Sequence, residues 1–162
     1  MAKRKAGRKA SSRSKAPDAI ELLKKDHAAV KQAFKQFEKA KYKDPNAMRE
    51  FVAAICKDLT MHTKLEEEIF YPAVRARIKD DDLMKEALVE HNSAKTLIAD
   101  IEKLAGDDPM FKPSVTVLAE YVRHHADEEE REMMPKAKRL KLDLAGLAEQ
   151  MLRRKEELKG SL

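Results

Sequence analysis

The chain has no tryptophan, one cysteine, four glycines and an aromatic content of only 5%. Each scarcity excludes something. Strands draw on aromatic and β-branched residues, so few aromatics beside 39% charged residues point to an all-helical protein. The single cysteine, Cys56, cannot form an internal disulfide, and a reducing, cytoplasmic setting is expected. Beside Ile55 in a helical pattern it reads as a small buried hydrophobe. No apolar run approaches the roughly 18 residues of a transmembrane helix, and the N-terminus lacks the apolar stretch of a secretory signal. A soluble chain with no membrane partner is expected. Its 162 residues suffice for one domain with a real core.

Charge is unevenly placed. The formal net charge is +5, yet residues 1–15 hold Lys3, Arg4, Lys5, Arg8, Lys9, Arg13 and Lys15 and no acid. The rest carries 27 basic against 29 acidic residues. The basic character therefore belongs to a tail. Residues 1–17 are too poor in apolar side chains to offset the entropy of ordering and read as disordered. Such a tail suits contact with nucleic acid through phosphates, or is a solubilising extension. A mitochondrial-type presequence would share the charge, but the segment lacks an apolar helical face.

Beyond Pro17 apolar residues step by three and four. Ile20, Leu23, His27, Val30, Phe34 and Phe37 draw one helix face. Asp44 and Pro45 offer an N-cap and first helical residue for a second helix, whose stripe is Met48, Val52, Ile55, Leu59, His62, Glu66 and Ile69, running to about Ile78. Asp80–Asp82 mark a turn. A third stripe runs through Ala87, His91, Ala94, Ile98 and Ile101 to Gly106, and a fourth through Val115, Leu118, Val122, His125, Glu129 and Met133. Short connections make successive helices antiparallel neighbours. The expected fold is an all-α, antiparallel up-down four-helix bundle over 18–139, followed by a short amphipathic C-terminal helix over 140–162.

Every stripe carries one histidine, and on the second and fourth helices a glutamate comes at i+4, on the same face. Six polar groups thus aim at one core: His27, His62, Glu66, His91, His125 and Glu129. They form a repeat. His27 precedes His62 by 35 residues and His91 precedes His125 by 34, and each HxxxE reaches a proline, Pro72 or Pro135, ten residues after its histidine. Asp26 and Glu90 precede the first histidine of each copy, and Lys31 and Lys95 come after it at i+4. Burying six such groups without partners costs several kcal/mol apiece on apolar transfer scales. Two metal ions, each with two histidines and bridged by the two glutamates, remove that difficulty. Mixed nitrogen and oxygen ligation with open positions favours iron or manganese over a closed structural zinc site.

Around this set, Tyr121, Lys31 and Lys95 are candidates for a second layer, the lysines favouring anionic ligands in the cavity or snorkelling outward. His124 is about 100° round the helix from His125 and should miss the core. Glu67 and Glu130 read as solvated charge, and Pro72 and Pro135 as helix kinks near the end of the site.

The pattern H…HxxxE…H…HxxxE, with "EEEIFYP" after the first HxxxE, resembles the hemerythrin-like family of HHE cation-binding domains over about residues 19–138. The resemblance implies a four-helix bundle with a non-haem, oxo- or hydroxo-bridged di-iron centre, ligated by His27, His62, Glu66, His91, His125 and Glu129. Oxygen carriers of the family have a fifth histidine four residues after the third-helix one. Here Lys95 stands there, which argues against reversible oxygen transport. Members lacking that histidine are linked to peroxide breakdown, nitric oxide response, oxygen or redox sensing and iron handling. The resemblance thus leaves three readings. The chain binds and turns over hydrogen peroxide or O2, in a catalase- or peroxidase-like way. Alternatively it senses O2, nitric oxide, redox state or iron without turnover. Alternatively it protects nucleic acid to which its tail binds. The sequence leaves the oligomeric state open.

Overall fold

The computed structural model describes residues 15–79 and 81–161, and among these it is helix joined by short turns. Helix α1 spans Ala19–Lys39 and α2 Pro45–Leu65. A π-helical turn, Glu66–Phe70, carries α2 directly into α3, Tyr71–Arg75. Helix α4 spans Asp82–Lys103 and α5 Phe111–Glu128. A second π turn, Glu129–Met133, leads into α6, Met134–Arg139, and α7 is Leu144–Lys159. The four long rods form the antiparallel bundle, with α1 against α2 and α5, and α4 against α2 and α5.

Local chemistry sets the starts. Asp18 and Glu21 form a capping box on α1. Asp44 accepts from Asn46 N–H at the start of α2, with Pro45 in its first turn, as its dihedral constraint favours. Asp143 caps α7 through Gly146 N–H. At the turn before α4, Asp81 instead pairs with Lys85 and Arg75.

The polar layer divides the core. One apolar cluster gathers Ile20, Leu23, Phe70, Val74, Met84 and Met134 at the end where α1 begins. The other gathers Phe34, Val52, Phe111, Val115, Leu118 and Ile101 at the opposite end. Each fully buried side chain of this size contributes about 1.5–3 kcal/mol. Cys56 lies in the second cluster, and burial, with the charge of Glu102, pushes its thiol up to about 12. It is packing, not a reactive thiol. Helix α7 buries Leu147, Met151 and Leu158 against α1, α2 and the first π turn, so the C-terminal amphipathic face is used within the chain.

Gly106 sits where the α4–α5 connection meets the start of α2. A Cβ there would lie 2.1 Å from the backbone oxygen of Pro45. That backbone belongs to a capped helix start and cannot yield cheaply. Gly106→Ala is expected to destabilise the fold by about 1–3 kcal/mol, as overpacking does. A thermal melt tracked by circular dichroism reads it; an unchanged midpoint would mean the two backbones do not approach so closely.

The π turns correct two expectations. Tyr71 and Met134 N–H donate to Glu66 and Glu129 C=O, five residues back. The extra residue in each turn rotates the helix beyond it. The buried stripe therefore passes through Phe70 and Tyr71 rather than Ile69, which is only half-buried. At the place where Pro72 and Pro135 suggested kinks, the chain has a widened turn. Each proline stands just after it, where its missing N–H is tolerated in the new first turn. The tail residues Lys3, Arg4, Lys5, Arg8, Lys9 and Arg13 lie outside the described residues, while Lys15 is exposed.

Candidate metal centre

His27 on α1, His62 on α2, His91 on α4 and His125 on α5 meet at mid-bundle with Glu66 and Glu129, the first residues of the two π turns. His27, His62, His91, Glu66 and Glu129 are buried, and the His125 side chain is 13% exposed. The histidines meet in pairs. The Nε2 atoms of His27 and His62 are 3.1 Å apart, and those of His91 and His125 are 3.0 Å apart.

Glu66 lies between the pairs. Its Oε1 is 2.9 Å from His62 Nε2 and 3.7 Å from His27 Nε2. Its Oε2 is 3.1 Å from His91 Nε2 and 4.0 Å from His125 Nε2. Glu129 reaches His27 Nε2 at 3.3 Å and groups with the first pair, whereas the ligand atoms offered around the second pair come from Glu66, His91 and His125.

The far nitrogens face outward onto carboxylates. His27 Nδ1 donates to Glu130 at 2.8 Å, His91 Nδ1 to Glu67 at 2.9 Å and His125 Nδ1 to Glu90 at 2.6 Å. His62 Nδ1 lies 3.6 Å from Asp26, beyond hydrogen-bond range. Glu67 and Glu130 are therefore not simply solvated charge: each crosses to a histidine of the other repeat copy. A carboxylate only accepts, so each bonded Nδ1 must carry the proton and leave its Nε2 lone pair facing inward.

That geometry calls for a cation. At the His91–His125 pair both Nδ1 atoms donate outward, and two inward Nε2 lone pairs 3.0 Å apart repel unless positive charge stands by them. Glu66 Oε1 and both Glu129 oxygens are buried without a hydrogen bond, a state that is expensive without compensation. Electrostatics agree. Burial opposes the Glu66 charge, yet His62, with His27 and His91 close by, holds its carboxyl well below the usual range. Burial and the Glu66 charge push Glu129 up, with His27 opposing. Burial lowers His27 and His62, but the nearby carboxylates of Glu129 and Glu66 lift His27 to about 10, and those of Glu66 and Asp26 lift His62 to about 9. Without a cation, protons take over its role. The donor set fits hard or borderline ions and lacks the thiolates of soft-metal sites.

Other sequence candidates are placed differently. Tyr121 is 43% exposed and lines the cavity that the four histidines also line, without a hydrogen bond to the cluster. The tyrosine at the centre is Tyr71, whose hydroxyl lies 3.4 Å from Glu66 Oε2 and 3.3 Å from His91 Nε2, its ring stacked on His91. Burial and the charges of Glu66 and Glu129 push its hydroxyl well above the ordinary range. Lys31 pairs with Asp127 at 2.5 Å, and Lys95 forks onto Glu67 at 2.7 and 2.8 Å. Both charges are thus neutralised by carboxylates. His124 is exposed, near Glu90 and Glu128. The cavity, about 40 Å³, touches all four histidines; Val30, Leu59, Ile98 and Val122 line it together with Asp26, Thr63, Glu90 and Lys95, whereas Lys31 does not reach it.

Sequence reasoning missed Tyr71, Asp26, Glu90, Glu67 and Glu130 as parts of the site. The acid before the first histidine of each copy and the acid directly after each HxxxE were the visible signals.

Known proteins resemble this chain. The crystal structure of a hemerythrin HHE cation-binding domain-containing protein from Mycobacterium kansasii superposes with a TM-score of 0.76 at 26% identity, covering 90% of each chain. A Nostoc protein described as a DNA nickase is 33% identical over 110 residues. That match covers 68% of this chain, which spans only 30% of the Nostoc protein's length. Residues 18–137 match the hemerythrin HHE cation-binding domain. With this match over most of its length, the chain belongs to the hemerythrin HHE cation-binding domain family.

Proposed function

We propose that His27, His62, Glu66, His91, His125 and Glu129 hold two iron ions, and that the protein binds and turns over a small oxidant, hydrogen peroxide or O2. Manganese is the alternative metal. The observation that carries this reading is the pair of inward-facing histidine couples, 3.1 and 3.0 Å apart, on either side of a carboxylate whose two oxygens face one couple each.

Two such irons supply one-electron steps in pairs, which is what reduction or disproportionation of peroxide needs. The chain supplies the rest. Glu130, Glu67 and Glu90 fix the imidazoles and raise their basicity. The cavity, at about 40 Å³ beside the four histidines, has room for a guest of peroxide size. Tyr71, outside the cavity lining, donates toward Glu66 and stacks on His91, and so holds the shared carboxylate and that imidazole in place.

Metal analysis with the optical spectrum, before and after peroxide is added to the reduced protein, tests the reading. Two irons per chain and rapid peroxide loss support it. Two irons with a stable adduct and no turnover would make the protein a sensor, and a single tight zinc would sink the di-iron reading. Tyr71→Phe removes a contact to Glu66 and is expected to lower metal affinity roughly 10–100-fold, as loss of an outer contact does. Unchanged metal affinity would remove Tyr71 from the contacts that support the centre.

A second reading concerns nucleic acid. It is supported by the seven basic residues within residues 1–15, by the exposed Lys136, Lys138, Arg139 and Lys141, and by the relative described as a DNA nickase. Binding to duplex DNA should then weaken steeply with salt, each phosphate contact adding roughly 0.9 to the log–log slope. Replacing the seven tail residues by glutamine should flatten that slope; salt-independent binding would count against the reading.

A further inference from the structure

The two repeat copies are not equal, and their differences coincide with the places where α7 docks. Aligning His27 with His91 sets Asp26 opposite Glu90, and aligning Glu66 with Glu129 sets Glu68 opposite Arg131. Helix α7 touches the first copy at both positions. Lys155 donates to Asp26 Oδ1 at 2.8 Å, and Arg154 forks onto Glu68 at 2.7 and 3.2 Å. In the second copy Arg131, which would repel Arg154, pairs with Glu132.

The consequence falls on one histidine. Three of the four Nδ1 atoms have a carboxylate at 2.6–2.9 Å. The fourth, His62 Nδ1, is buried without a hydrogen bond, 3.6 Å from Asp26. A lysine alone does not explain this, because Glu67 accepts from Lys95 and still reaches His91 at 2.9 Å. Chain length does. Aspartate is one methylene shorter than glutamate, and Asp26, drawn to Lys155, falls short of His62. Glu90, its counterpart, reaches His125 at 2.6 Å.

The geometry points to Lys155 as a positioning residue that acts through Asp26 on His62 and lowers the metal affinity of the first histidine pair, with α7 setting the loss. The inference rests on the proposed two-metal centre. A histidine whose Nδ1–H donates to a carboxylate is a more basic ligand, and such outer contacts are typically worth 10–100-fold in metal affinity. Repositioning α7 would change the first pair and leave the second alone.

Cobalt(II) titration of the full chain, read by absorbance, tests it on the wild type, Asp26→Glu and Lys155→Met, with helicity checked for each. Repulsion between the two cations separates the binding constants in every variant, so the readout is the change in separation. Asp26→Glu lets the carboxylate reach both partners and Lys155→Met releases Asp26 toward His62. Both are expected to raise one of the two constants at least tenfold, the lower end of the outer-contact range, and leave the other within about threefold. An unchanged separation in both variants, or equal shifts of both constants, would overturn the inference while leaving the two-metal reading standing. No cobalt uptake at all would overturn both.

Discussion

Glu66→Ala is expected to empty both halves of the centre, while Glu129→Ala chiefly empties one. Glu66 presents Oε1 to the His27–His62 pair and Oε2 to the His91–His125 pair. Glu129 groups with the first pair only. Removing the shared carboxylate takes one donor from each position and the negative charge that offsets two dications. The loss should exceed the roughly 10–100-fold typical of outer contacts. Metal analysis after dialysis should find well under one metal per chain for Glu66→Ala and about one for Glu129→Ala. Two metals retained in Glu66→Ala would show that the pairs do not share that carboxylate. The substitution also strands protonated His27 and His62 in the metal-free protein. Breaking a buried ion pair costs about 3–5 kcal/mol, so helicity must be checked beside metal content.

Metal affinity should climb steeply with pH and keep climbing well past the point where an ordinary histidine site levels off. In the metal-free protein His27 is raised to about 10 and His62 to about 9. Both carry a proton at neutral pH, and a cation needs both Nε2 lone pairs. Binding at the first pair therefore displaces two protons, and log K rises by about two per pH unit until the pH nears 9. Unperturbed histidines would flatten above about 6.5. Isothermal titration in two buffers of different ionisation heat counts the protons released. A plateau by pH 7 would contradict the raised values. Stability of the metal-free protein runs the other way. Histidines raised on folding stabilise fully below the unfolded value of 6.5, and that contribution is lost as pH rises through 9 and 10. Glu66, depressed on folding, stabilises above its ordinary value of 4.5 and loses this as pH falls through its lowered value. Metal-free protein should melt highest between about 4.5 and 6.5, and bound metal should move the optimum upward.

Much of the frame is local and therefore readable in the chain. Period-3.6 stripes, Asp18 with Glu21, and Asp44 with Pro45 act within one or two turns, and the structure contains the helices they announce. The i+4 spacing of His62 to Glu66 and of His125 to Glu129 likewise fixes one helix face for each pair. Tyr71 illustrates the limit. On a regular helix the residue five after Glu66 faces away from it, and Tyr121, one turn before His125, is the natural candidate. The π turn closes five residues back and swings Tyr71 onto Glu66 and His91.

What the sequence determined by itself is the set of elements and the residues each sends inward, because hydrophobic periodicity, caps and i+4 spacing are properties of a single helix. What only the tertiary structure decided is which residue meets which across the bundle. Glu130 crosses to His27 and Glu67 to His91, Tyr71 replaces Tyr121, and Lys155 draws Asp26 from His62. Those pairings depend on helix rotation, on the register change at two widened turns and on one methylene between aspartate and glutamate, none of which is settled until the helices pack.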